Sequence, residues 1–252
     1  MGKNICQSLS EAISKGDSIF NRVILDNNGF LDSTGAEILD GFSKLLEVKS
    51  LVYIKNDFSI NSLESLKPIL HLKPIPHHLE ELRLVHCGRL SSVVTGRLLD
   101  ILIEKSPLRK LSLVNAGIND EICLKKLSQL VQGSRQLTEL DISWNRMRPN
   151  ILFDFMDSLG DIRHLQYLNL SWNNLIERGE ITDPQRKTLG DAELSMSESD
   201  ILKIINKSLV KKSKRQTLDF IETQVYIMAK LIRFIKYNRN LLHLDLTHTG
   251  LN

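Results

Sequence analysis

Leu137-Thr138-Glu139-Leu140-Asp141-Ile142-Ser143-Trp144-Asn145-Arg146-Met147 is echoed 28 residues later by Leu165-Gln166-Tyr167-Leu168-Asn169-Leu170-Ser171-Trp172-Asn173-Asn174-Leu175. In both stretches apolar residues hold the first, fourth, sixth and eleventh positions, and asparagine holds the ninth. The same spacing appears as Phe20–Val23–Leu25–Phe30, Val48–Leu51–Tyr53–Phe58, Leu108–Leu111–Leu113–Ile118 and Leu241–Leu244–Leu246–Leu251. With one extra residue it appears again as Leu79–Leu82–Leu84–Leu90. The turn position of these copies holds Asn28, Asn56, Ala116, Thr249 and Cys87. Side chains alternate along a strand, so the fourth and sixth residues of each copy enter one core while those between them face outward. An asparagine in the turn can hydrogen-bond backbone groups of neighbouring copies that would otherwise be buried without partners.

Starts at Phe20, Val48, Leu79, Leu108, Leu137 and Leu165 are separated by 28, 31, 29, 29 and 28 residues. That period leaves room for a strand, a loop and a helix of about three turns. Apolar residues at helical spacing fill residues 36–46, 93–103, 122–131, 151–159 and 220–237. Asn119 or Asp120 suits an N-cap, Pro149 a first helical position, and Gly133 and Gly160 helix ends.

The pattern L-x-x-L-x-L-x-x-N/C-x-L resembles the leucine-rich repeat, and repeats of this length are similar to the ribonuclease-inhibitor-like class. The resemblance implies an α/β fold: a right-handed βα solenoid, or horseshoe, with a parallel inner sheet and helices on the convex face. Strands are expected near 22–26, 50–54, 81–85, 110–114, 139–143, 167–171 and 243–247 of a solenoid spanning 19–252, behind a capping helix within 1–18. Leu165 and Leu241 are 76 positions apart, far more than one repeat. Residues 177–217 are expected to be a polar insertion, with a degenerate extra repeat as the competing reading. Asn252 follows the last motif directly, so the C-terminal end reads as uncapped. Either the chain continues in a longer protein, or a partner or a second copy covers that end.

Composition narrows the function. A formal net charge of +3 on 252 residues argues for neither nucleic acid nor a membrane surface as partner. No window approaches the ~18 apolar residues of a membrane span, and Met1-Gly2-Lys3-Asn4 leads into no signal-peptide core. Cys6, Cys87 and Cys123 are an odd number and read as small buried apolar residues, so the expected location is cytoplasmic, with cytoskeletal or ciliary variants ahead of nuclear. No cofactor is expected. His77, His78, His86 and Cys87 lack zinc spacing, His243, Asp245 and His248 lack a nucleophile in register, and no glycine-rich phosphate loop is present. The run Lys211-Lys212-Ser213-Lys214-Arg215 reads as a solvated loop, with an import signal or an acidic partner as alternatives.

The outward columns carry the functional reading. The central column is Ile24, Val52, Arg83, Ser112, Asp141, Asn169 and Asp245. The column before the turn residue is Asn27, Lys55, His86, Asn115, Trp144, Trp172 and His248. Both tryptophans of the chain therefore fall side by side. Trp144, Trp172, Tyr167, Asp141, Asn169 and Arg83 are the candidate protein-binding residues, since Trp, Tyr and Arg most often anchor interfaces. A stacking ladder internal to the solenoid is the alternative for the tryptophans. Ile24, Val52, Ile54, Val85 and Val114 form an apolar band, read either as an interface or as strand propensity.

The expected function is a non-enzymatic protein–protein interaction scaffold that grips a partner on its concave face and edge loops. The Ser-Trp-Asn turns look like those of some intracellular and ciliary repeat proteins, which makes a structural subunit of a cytoskeletal or ciliary assembly the alternative. The repeat class also resembles Ran GTPase-activating proteins, although their diagnostic residues cannot be placed here and no arginine finger stands out. Immune-receptor and ubiquitin-ligase adaptor roles lack a visible nucleotide-binding module or F-box-like segment.

Overall fold

The computed structural model describes residues 3–15, 19–45, 47–71, 78–105, 107–160, 162–175 and 220–250. Strand and helix alternate through α1 (Lys3–Ser14), β1 (Ile19–Asp26), α2 (Asp32–Ser43), β2 (Glu47–Ile54), α3 (Ile60–His71), β3 (Glu81–Val85) and α4 (Ser92–Lys105). They continue through β4 (Lys110–Val114), α5 (Glu121–Gly133), β5 (Glu139–Asp141), α6 (Pro149–Ser158), β6 (Tyr167–Asn169), α7 (Phe220–Tyr237) and β7 (His243–Asp245). The seven strands form one parallel sheet in chain order, β1 to β7. Its register follows the repeat: Leu51 pairs with Leu82, Leu82 with Leu111, Leu111 with Leu140, Leu140 with Leu168 and Leu168 with Leu244.

That register stacks the apolar rows into one continuous core. Leu82, Leu111, Leu140 and Leu168 are almost wholly buried, as are Leu84, Leu113, Ile142 and Leu170. Burial of each such side chain is worth about 1.5–3 kcal/mol, which no single repeat could secure alone. Tyr53 takes a leucine position in β2, and Gly35 of α2 makes room for it, because a Cβ there would collide with the tyrosine hydroxyl. Phe20 departs from the expected core row: it lies partly exposed at the open edge of the sheet, touching Phe42 edge to face.

Turn chemistry ties neighbouring repeats together. Asn145 Oδ1 accepts the amides of Ala116 and Ile118, while Nδ2 donates to the carbonyls of Leu113, Ile142 and Ser143. Asn173 repeats this pattern against Asn145, Met147, Ile142 and Leu170, and Asn56 against Asn28, Phe30, Leu25 and Ile54. Cys87 manages a weaker version, its thiol donating to the Tyr53 carbonyl at 3.4 Å. Asn28, expected to be a turn residue of the same kind, is exposed. It stands in the first repeat, where no earlier strand offers a carbonyl to its amide.

At the starts of α5 and α3 a carboxylate accepts free helix amides, whereas α2 and α6 begin without a side-chain cap. Asp120 Oδ1 accepts the Cys123 amide at 2.7 Å at the start of α5. Asp120→Ala should cost about 1 kcal/mol, read as a lower urea midpoint at unchanged slope. Asp32, buried at the start of α2, serves the next helix instead, accepting the amides of Ser59 and Ser62 at α3. Burial works against its charge, but the bonds from Ser62, Ser59 and Asn61 prevail and hold its carboxyl below the ordinary range.

Strands β5, β6 and β7 end two residues earlier than the expected 143, 171 and 247. Asp141, Asn169 and Asp245 each accept the amide two residues ahead, from Ser143, Ser171 and Thr247, and so turn the chain early. The polar segment 177–217, the run at 211–215, His77 and Asn252 lie outside the described residues.

Candidate functional site

Seven residues hold a left-handed backbone at one position of successive repeats: Asn27, Lys55, His86, Asn115, Trp144, Trp172 and His248, with φ between 49° and 62°. Their amides explain it. Asn27 donates to Ile54, Lys55 to Val85, His86 to Val114, Asn115 to Ser143, Trp144 to Ser171 and Trp172 to Thr247. The conformation thus belongs to the repeat and not to the tryptophans. Asparagine adopts it easily, whereas a bulky side chain is disfavoured by roughly 1–2 kcal/mol.

Two tryptophans nevertheless occupy it, and their rings stack. The Trp144 and Trp172 centroids are 4.0 Å apart at 16°, and His248 continues the pile 3.9 Å from Trp172 at 27°. At the other end the His86 ring meets Trp144 edge to face, 5.6 Å away at 77°. Each contact is worth about 0.5–1.5 kcal/mol, which roughly cancels the backbone cost. Trp144 and Trp172 remain 39% and 40% exposed. Both faces of Trp172 are covered, so what solvent meets is the rim of the pile. Among the described residues neither indole N–H has a hydrogen-bond partner.

The other candidates fall into two groups. Tyr167 stacks on His243, with centroids 4.7 Å apart at 7°. Burial raises the Tyr167 hydroxyl above its ordinary pKa, and the nearby carboxylates of Asp141 and Asp245 add to this. Asp141 and Asn169 lie in the same half-buried floor, each with one oxygen already committed to its turn. Asp245 is held below the usual carboxylate range by the Thr247 side chain and amide. Its turn is stabilised above the unfolded carboxylate pKa and weakens as pH falls through the lowered folded value. Arg83 stands apart, two strands from Asp141, donating to Ser112 Oγ at 3.2 Å and lying 3.7 Å from Glu81.

Of the apolar band, Val52 and Val114 are buried, Ile54 and Val85 are half-buried, and only Ile24 on the edge strand is exposed. A contiguous greasy interface across the first repeats is therefore not what these residues form. His86 and His248 share the column of the two tryptophans and His243 pairs with Tyr167 across β6 and β7, yet none of the three is among the candidate residues read from the sequence. For His248 and His243 the signal was there, since a ring directly beside another ring at strand spacing stacks on it, whereas His86 meets Trp144 across the intervening Asn115 repeat.

Nothing else in the described residues competes as a chemical centre. No group of three His, Cys, Asp or Glu among them is placed to hold a metal ion, and no helix among them is long and apolar enough to cross a membrane. A groove of about 800 Å³ on the helix side is lined by Gln132, Arg135, Asp157, Ser158, Arg163 and His164, and none of the candidate residues reaches it. Cys6, Cys87 and Cys123 are buried as free thiols, and burial pushes Cys87 and Cys123 up to about 12. We expect no thiol to react with a disulfide reagent in the native chain and all three to react in guanidinium; a rapid native reaction would contradict this packing.

Two short stretches of the chain match a known repeat profile. A profile described as "Leucine Rich repeat" matches residues 133–155 and 162–177. Among solved structures, the C-terminal domain of tropomodulin from Caenorhabditis elegans is similar at a TM-score of 0.31 and 10% identity, covering 98% of this chain and 84% of that one. No curated protein sequence matches.

Proposed function

We propose that this chain, whose residues 133–155 and 162–177 match a leucine-rich repeat profile and whose strands and helices alternate through one parallel sheet, is a non-enzymatic scaffold that binds another protein. The partner rests on the C-terminal half of the concave face and on the turn edge beside it. Trp144 and Trp172 are its anchors, Tyr167, Asp141 and Asn169 its polar floor, and Arg83 an outlying contact. The observation that carries this reading is the aromatic pile itself, whose rim stays open to solvent although its stacking energy does little more than offset its backbone strain. Rigid aromatic edges whose N–H donors have no partner among the described residues suit a protein surface, which supplies both apolar area and carbonyl acceptors. A nucleobase would need an open ring face, and Trp172 has none. The cytoplasm is the proposed location, on the ground that three buried cysteines remain unpaired.

The test is comparative capture from cell extract. Proteins enriched by the full chain should be lost with Trp144→Asn/Trp172→Asn and kept with Gln129→Ala, an exposed change on the helix side. Equal capture by all three chains would end this reading.

A further inference from the structure

β1 is the outer strand of the sheet and, with eight residues, one of its two longest. Edge strands are usually blunted by short length, proline, lysine or a cover, because their free backbone groups recruit other strands. The stretch Ile19-Phe20-Asn21-Arg22-Val23-Ile24-Leu25-Asp26 contains neither proline nor lysine, its two charges, Arg22 and Asp26, are opposite in sign, and α1 packs on α2 rather than along it. Among the described residues nothing pairs with its outer side.

The direction of its backbone groups is set by two bonds. The Asn27 amide donates to the Ile54 carbonyl of β2, and the Leu25 carbonyl accepts from Asn56 on the same side. Backbone groups alternate in direction along a strand, so those of Arg22, Ile24 and Asp26 point away from β2 into the open edge. The side chains of these three residues share the concave face and are exposed, Ile24 at 57%. Neither Arg22 nor Asp26 has an ion-pair partner among the described residues.

This pattern is complementary to itself. Set antiparallel about a two-fold axis through Ile24, a second β1 places Ile24 opposite Ile24, Arg22 opposite Asp26 and Asp26 opposite Arg22. All three are hydrogen-bonded positions. Sliding the register to centre on Arg22 or on Asp26 sets like charges face to face, and centring on Val23 or Leu25 puts a charge opposite Ile24. One register alone satisfies both backbone and charge. Ile5 and Leu9, four apart on α1 and exposed, and Ile19 at the start of β1 add apolar surface at the same end of the solenoid.

The geometry points to self-association of this chain through antiparallel pairing of β1 with β1 of a second copy, centred on Ile24, which joins two sheets edge to edge and leaves both concave faces free. It is independent of the aromatic pile, which lies at the far end of the sheet.

Sedimentation velocity of the full chain at about 100 μM should show a species of twice the 28.7 kDa chain mass, the range in which a modest interface dimerises. Arg22→Asp or Asp26→Arg alone should weaken dimerisation at least tenfold, and the two together should restore it. Register is read by cysteine. Ile24→Cys should form a disulfide-linked dimer under mild oxidation, since facing residues are about 5.5 Å apart. Arg22→Cys should not, because its counterpart lies about 13 Å along the strand. A wild-type chain that stays monomeric, a double variant that does not recover, or Arg22→Cys linking as readily as Ile24→Cys overturns the proposal. Circular dichroism of each variant confirms that the solenoid is intact.

Discussion

Asn145→Ala should destabilise the chain by about 3–5 kcal/mol, the largest effect expected of any single polar substitution here. The side chain removed accepts two buried amides, from Ala116 and Ile118, and donates to the carbonyls of Leu113, Ile142 and Ser143. Alanine fills none of these roles, and water cannot reach a turn that is 3% exposed. Each orphaned buried group costs about 1–3 kcal/mol, so the two amides alone account for most of the loss. For a chain of this size the thermal midpoint should fall on the order of 10 °C. Asn28→Ala is the internal control: its side chain is exposed, and the change should stay within about 0.5 kcal/mol. Matching losses from the two variants would show that the asparagines are held by propensity and not by the bonds between repeats.

Trp144→Asn combined with Trp172→Asn should lower affinity for the captured partner at least about 30-fold while shifting stability by no more than about 2 kcal/mol. Asparagine is the informative replacement, because Asn27 and Asn115 already occupy this column with the same left-handed backbone. The substitution relieves backbone strain as it removes stacking, so the two terms oppose each other. Alanine would remove the stacking and keep the strain. If the double variant unfolds many degrees earlier and binding merely follows stability, the pile is an internal brace and the anchors lie elsewhere.

Most of the architecture could be read from spacing. The second and third apolar positions of each motif had to share a face, and the sheet brings Leu82, Leu111, Leu140 and Leu168 into one row. The repeat pattern was blind to ends. Phe20 and Asn28 match the motif, yet both are exposed because a residue that relies on the preceding repeat finds none there. Helix α3 was not singled out by apolar spacing and holds Pro68, which removes one backbone bond but is tolerated in a helix anchored by buried Leu63, Leu66, Ile69 and Leu70. Strand ends could not be read from apolar positions at all, since they are set by Asp141, Asn169 and Asp245 reaching forward to an amide.

The site was legible as columns and not as contacts. Adjacency of Trp144 and Trp172 followed from register, but that His248 extends the pile and His86 closes it edge to face depends on side-chain direction. Arg83 shared a column with Asp141 and is held by Ser112 and Glu81 instead. Burial of Val52 and Val114 was equally out of reach, because a column assignment gives the direction of a side chain and not its exposure.

The central claim is that a protein partner closes over the rim of the two indoles. Because the chain has only two tryptophans, 5-fluorotryptophan labelling yields a fluorine spectrum that reports on this site alone. Both resonances should show a solvent isotope shift in the free chain, and both should move and lose that shift when the captured partner is added. Resonances already insensitive to solvent in the free chain, or unchanged in the complex, would contradict it.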